Sequence, residues 1–245
     1  LFLSCVRMKT IQTTSTRRRE SHLEQTIQFQ TLTDQIYQAI RQDIIQHRLP
    51  EGRRLTLRQL QEKFPVSSSP IREALNRLIQ EGLLSYRPNA GISVINLNAQ
   101  DASELFAIRG ALDGLALESA CRACGPAELA AALHSVAVRE ARSLAEDDRD
   151  AAEEYSDEFH LTLYRQSSNA RLTAMAAQLD GPISILTGYC RSDTAAARRI
   201  CREHEEIADA LSAGGPEEAG RLLRIHLNHS LEDIRSHMNS AQKQD

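Results

Sequence analysis

His160, His204 and His226 are the residues whose type and placement could do chemistry. Each sits in a stretch of helical periodicity and falls on its inward face. His160 follows Ser156 and precedes Leu163, His204 lies between Ile200 and Ile207, and His226 follows Leu222 and precedes Ser230. A single imidazole on an apolar face is ordinarily a core residue with a hydrogen-bond partner of its own. Three on one helical bundle would each need such a partner in a dry interior, or would share one by ligating a divalent cation. Zinc tolerates three histidines with an open fourth position, and nickel and manganese are the alternatives.

A second set of candidates lies in "VSSSPIREALNRLIQEGLL", residues 66 to 84. Ile71, Leu75, Leu78 and Ile79 form one face of a helix, leaving Arg72 and Asn76 outside. Ser67 or Ser69 can cap it, and Pro70 is tolerated in a first turn whose amide hydrogens lack helical partners. Ser67, Ser68 and Ser69 keep that end free of bulk, so amides and hydroxyls can approach phosphates and base edges.

The surrounding elements place that helix. Leu32, Ile36, Ile40 and Ile44, with Tyr37 and Ile45, predict a helix ending near Arg48; "LPEGRRL" breaks it. A short helix with Leu57, Leu60 and Phe64 inward follows, stopped by Pro65. After Gly82, "LLSYRPNAGISVINL" reads as a hairpin turning at Pro88, Asn89, Ala90 and Gly91. Helix, short helix, capped helix and hairpin is the order of a winged helix-turn-helix, assigned to residues 31–98. Strand signals then nearly vanish. Six helical segments are expected near 99–123, 126–146, 148–167, 169–188, 194–213 and 216–239, with breaks at Gly or Pro 125, 126, 181, 182, 214, 215 and 216 and at "SSN". The fold class is therefore mainly α: a winged helix-turn-helix followed by an all-α antiparallel bundle over residues 99–240.

Charge divides along the same line. Residues 31–98 carry nine basic and six acidic side chains, residues 99–245 fifteen and twenty-five. A basic front suits a polyanion. Residues 1–30, rich in Thr, Gln and Arg, are expected to be a flexible arm whose Arg17, Arg18 and Arg19 are a solvated charge run or touch phosphates. The opening run "LFLSCV" is shorter than a signal-peptide core or a membrane span, and the five cysteines form no secreted framework, so the expectation is a cytoplasmic protein with free thiols and no membrane. Cys121 and Cys124 form a CxxC without the second pair that a four-thiolate zinc site needs.

The run "PEGRRL", "VSSSPIREALNRLIQEGLL" and "NAGISV" resembles the DNA-binding module of the GntR family of bacterial transcription regulators, over residues 31 to 96. The family's turn and recognition helix usually reads VSRTPVREAL; Ser67, Pro70, Arg72, Glu73 and Leu75 coincide. The resemblance implies DNA contacts by Arg58, Arg72, the three serines, Asn89 and Gly91. Ser68 replaces the usual base-reading Arg, and Ala90 a common wing Arg, so the operator sequence does not carry over. The bundle, through "IRGALDGLALESA", "DEFHLTLYRQSSNARL", "REHEEIADALSAG" and "LLRIHLNHSL", is similar to the ligand-binding FCD domain of the FadR-type subgroup in its six-helix form.

That resemblance implies that the three histidines bind metal and that Arg109 points toward an effector, with Ser156 beside it. It also implies an Asp four residues before the first histidine. Here Ser156 holds that place and Asp157 follows; four residues back is about −40° from His160 and three back about +60° around a helix. Asp157 is the fourth ligand only if its side chain reaches round. The implied whole is a homodimeric regulator, more often a repressor, binding double-stranded operator DNA in response to a small organic acid or sugar acid, which Arg109 can hold bidentately. Two other readings stand beside it. A zinc-dependent hydrolase would use the same histidines, although HExxH, a nucleophile elbow and a Gly-rich phosphate loop are missing and Glu205 beside His204 reads as a surface residue. A helical interaction protein with an inactive winged module is the other.

Overall fold

The computed structural model describes residues 31–241; the arm, Arg17, Arg18, Arg19 and Cys5 fall outside the described residues. Thr31 opens the first helix, α1 (Leu32–Ile45), in a capping box with Asp34, and buries Ile36, Tyr37, Ile40 and Ile44. Thr56 and Gln59 form the same device for α2 (Leu57–Lys63), so each helix start satisfies its free amides locally. Recognition helix α3 (Ser68–Gln80) has Ser67 at its N-cap position, yet neither Ser67 nor Ser69 caps it: the Ser67 side chain makes no capping hydrogen bond and Ser69 is already helical. The end expected to be capped by serine therefore keeps free amide hydrogens.

The hairpin forms as β2 (Leu84–Arg87) and β3 (Gly91–Val94). Asn89, at φ 64°, and Gly91, at φ 83°, take the left-handed backbone that the tight turn requires. A strand the sequence reading treated as a break, β1 (Arg54–Leu55), pairs with β3 through Arg54↔Ser93 and Leu55↔Ile92, giving the order β1-β3-β2. Two residues are too few to leave a periodic trace.

The six later helices are α4 (Ala99–Ala123), α5 (Pro126–Ala145), α6 (Arg149–Gln166), α7 (Ala170–Gly188), α8 (Thr194–Ser212) and α9 (Pro216–Ala241). Phe159, Leu163, Leu129, Leu133, Ile207 and Leu211 pack at their centre. Gly181 and Pro182, expected as a break, lie inside α7. Their position explains the exception, because α7 is the helix that leans on the winged module. Ile185 enters that module's core beside Ile40, Ile44 and Leu83. Arg41 of α1 reaches Asp180 at 3.5 Å and Ser184 at 3.4 Å. Past its end, Tyr189 packs at a tilt against His47, ring centroids 4.2 Å apart, and donates its hydroxyl to Glu51 at 2.8 Å.

Gly181 is needed there because a Cβ would stand 2.0 Å from the Glu81 carbonyl oxygen; at Gly188 one would stand 2.1 Å from that of Ile45. Gly114, by contrast, has nothing within 4 Å of such an atom. G181A is therefore expected to destabilise the chain by about 1–3 kcal/mol or more through overpacking, whereas G114A should add about 0.5–1 kcal/mol of helix stability. Urea melts of the two variants beside the parent check both signs.

Candidate metal centre and its cavity

α6, α8 and α9 carry His160, His204 and His226 into one buried spot, where one nitrogen from each lies within 4.8 Å of the others. Phe159 fixes one ring by stacking on His204, centroids 4.0 Å apart. Carboxylates on neighbouring helices fix the far side of each imidazole. His160 Nδ1 is 2.9 Å from Asp113 of α4, His204 Nδ1 2.7 Å from Glu140 of α5, and His226 Nδ1 2.9 Å from Glu203 of α8. Asp113 and Glu203 are ionised and accept, so Nδ1 of His160 and of His226 carries the hydrogen and its Nε2 turns a lone pair inward; Glu140 orients His204 the same way once it is a carboxylate.

Those lone pairs meet. His160 Nε2 and His226 Nε2 are 3.3 Å apart, and His204 Nε2 is fully buried without a hydrogen-bond partner. Facing lone pairs repel, and an orphaned buried nitrogen costs about 1–3 kcal/mol. A divalent cation removes both penalties at once, and carboxylate–histidine–metal pairing is the usual way to orient such ligands. The donor set fits zinc with an open position, and nickel and manganese equally accept imidazole nitrogen.

Electrostatics keeps the ligands competent. Burial, and next the Arg109 charge, hold the His160 imidazole well below its ordinary range; burial does the same for His204, with the neighbouring His226 charge adding. Both are neutral at physiological pH. Burial pushes Asp113 upward, but the hydrogen bond from His160, the Arg109 charge at 3.5 Å and the hydrogen bond from the Tyr164 hydroxyl outweigh it and keep the carboxylate ionised. Glu140 has less help. Burial raises its carboxyl to about 8 against the opposing charge of His226.

A cavity of about 110 Å³ opens beside the cluster, with His160, His226 and Arg109 in its wall and Phe106, Leu144 and Ile200 supplying apolar surface. That is room for a small organic molecule rather than a single water, which needs roughly 10–15 Å³ by the same measure. Ser156 and Asp157 line it too. Asp157 also faces a smaller recess with Asp180 and Ile183, and it lies outside the group of three ligating nitrogens.

The DNA-contact candidates all belong to the winged module. Ser67, Ser69 and Arg72 are exposed around the start of α3, Ser68 is half-buried, and Asn89 sits at the wing turn with Gly91 closing it. Arg58, exposed on α2, bonds Glu62 at 3.1 Å.

Comparison with known proteins agrees with this division. The pattern of the bacterial regulatory proteins of the gntR family matches residues 32–94, and that of the FCD domain residues 104–229. The chain belongs to the GntR family, FCD group, of transcriptional regulators. It is 28% identical over 208 residues to the HTH-type transcriptional regulator YdhC of Bacillus subtilis, covering 82% of this chain and 90% of that one. It is 23% identical over 214 residues to the HTH-type transcriptional repressor RspR of Escherichia coli K12, covering 84% and 90%. Escherichia coli McbR/YncC has the same fold, with a TM-score of 0.69 at 22% identity, covering 84% of this chain and 98% of that structure. Membership of this family makes the chain a GntR/FCD-type transcriptional regulator. Among the described residues no helix is long and apolar enough to cross a membrane.

Sequence reasoning missed the three supporting carboxylates. Glu203, not Glu205, is the one that engages the cluster, and it holds His226 rather than its neighbour His204. The available signal was an acidic residue on a mostly apolar stripe: Asp113 among Phe106, Ala116 and Leu117 on α4, Glu140 beside Leu133, Val136 and Ala137 on α5. Since metal requires the hydrogen on His204 Nδ1, Glu140 must be a carboxylate when metal binds; below about pH 8 it holds a proton, which metal binding must expel. Zinc affinity should therefore rise roughly tenfold per pH unit up to that value and flatten above it. E140Q should remove that slope and cost about 10–100-fold in affinity, read by competition with a chromophoric chelator across pH.

Proposed function

We propose that this chain is a cytoplasmic, homodimeric repressor that binds two-fold operator DNA through α3 and the wing, and releases or holds it according to a small organic acid or sugar acid in the bundle cavity. The winged module (31–98) reads DNA and the bundle (99–240) senses and dimerises. The relative RspR is a repressor, and two-fold sites call for two-fold proteins.

One observation carries the sensing half: the converging imidazole lone pairs lie in the wall of the same cavity as Arg109. His160, His204 and His226 would hold the metal, which when bound supplies an open position for an anionic oxygen. Arg109 orients the carboxylate of the acid through its guanidinium fork while keeping Asp113 as its helix partner, and Ser156 offers a hydroxyl to the bound molecule. Thr187, Cys190 and Arg191 belong to the same wall and flank the stretch where Gly188 and Tyr189 touch the winged module. A ligand that favours one placement of that stretch shifts the DNA modules.

On the DNA side, the exposed serine-lined start of α3 brings free amides and the Arg72 guanidinium to one surface, with Arg58 and Asn89 flanking. R72A should weaken binding to a footprinted site near the gene by about 1–3 kcal/mol while zinc content stays unchanged. Unaltered protection by R72A would leave the winged module as an interaction surface only. For the sensor, a thermal-shift screen of organic and sugar acids should give stabilisation of about 2.7 kcal/mol at a hundredfold excess over Kd, abolished by a chelator; stabilisation that survives chelation would remove the metal from recognition.

A further inference from the structure

The charges around the cavity are almost all answered from within the protein. Arg109 holds Asp113, Arg149 holds Asp147 at 3.4 Å and Arg191 holds Glu153, while Glu140 and Asp233 are answered by His204 and Arg199. Asp157 is the exception. It lines the cavity and, among the described residues, has no hydrogen-bond or ion-pair partner. An ionised carboxylate in a largely apolar wall is costly unless paired. The second unpaired group is independent of it: the fully buried Nε2 of His204, in the cluster whose other members, His160 and His226, reach the cavity. The site thus has two unmet poles, one calling for a cation-bound anion and one calling for a cation.

A plain carboxylic acid meets only the first. It would satisfy the histidine pole and Arg109 but leave Asp157 unanswered. A molecule carrying both a carboxylate and an ammonium meets both within a volume suited to few heavy atoms. We propose, building on the acid-sensing reading above, that the effector is a small aminocarboxylate of the amino-acid class, its carboxylate at the histidine and Arg109 pole and its ammonium on Asp157. Burial raises the Asp157 carboxyl to about 6, against the charge of Arg109, with Asp180 adding to the rise, Arg41 opposing it and Glu140 adding least; a carboxylate held in so dry a place gains from a cation brought by the ligand. Asp157 serves as a specificity residue and not as a metal ligand, in keeping with its place outside the three-nitrogen group.

The test uses the full zinc-loaded chain in calorimetric titrations with the common amino acids. Each is paired with two counterparts, bearing hydrogen or hydroxyl in place of the ammonium. At least one amino acid should bind ten times more tightly, or better, than both counterparts. D157N, of the same shape, should bring that ratio to near one while zinc content and zinc affinity stay at parental values. Counterparts that bind as well as the amino acids would overturn the proposal and leave acid sensing intact, as would an unchanged ratio in D157N. Loss of zinc from D157N would make Asp157 a ligand and also overturn it. If no acid of either kind binds, the acid-sensing reading falls and this one with it. The ratio measured on the parent protein decides even if D157N folds poorly.

Discussion

Three imidazoles packed with their lone pairs facing each other cannot rest in an apolar interior without help, and the architecture of the bundle follows from that constraint. Each ring needs an acceptor behind it, and the acceptors come from Asp113, Glu140 and Glu203. Two of those carboxylates belong to helices that carry none of the histidines, so α4 and α5 are tied to α6 and α8 through polar contacts as well as through the Leu and Phe core. Asp113 is tied further to Tyr164 and Arg109. A half-satisfied network of this kind is worse than an apolar core. The remaining open valence is therefore concentrated where three lone pairs converge, and a cation there completes what the carboxylates begin.

The same economy of shared elements joins the two modules. α7 contributes Ile185 to the winged core and places Gly181 and Gly188 where backbone meets backbone, leaving no space for a side chain to slide. Its last turn and the residues after it also form one side of the cavity. Close-packed contacts of this kind pass on discrete displacements rather than absorbing them. One segment, from Ile185 to Arg191, thus borders the cavity and seats the winged module, so the coupling proposed above needs no separate relay.

Much of this was legible in the chain. The winged module announces itself through turn chemistry, Pro65, Pro70, Gly82 and Gly91 marking its corners, and the histidines through helical phase alone. What escaped had physical reasons. β1 is two residues long and exists only because β3 lies beside it. Ser67 stands at the capping position without a capping hydrogen bond, a matter of side-chain placement that residue type alone does not decide. Gly181 and Pro182 read as a break because local propensity favours one; the close approach to Glu81 is a tertiary fact. Asp113 and Glu140 lie 47 and 64 residues from the histidines they hold, and no periodicity links residues so far apart.

Asp157 shows how a single step along a helix changes a residue's task. A carboxylate four residues before His160 would sit close to the ring's own phase, about 40° away, whereas one placed three residues before it is turned about 60° the other way. Ser156 occupies the first direction and Asp157 the second. The turn carries Asp157 away from the converging nitrogens and toward the side where α7 brings Asp180, so it reaches the recess between the two helices as well as the main cavity. A carboxylate in the first direction would be neutralised by a bound cation and would close the coordination sphere. Moved by one residue, it leaves that sphere open for a ligand oxygen and keeps its charge available to whatever else the ligand carries. The geometry of one helical step thus separates the position that would complete the metal site from the position at which Asp157 faces the cavity and is proposed to select its ligand.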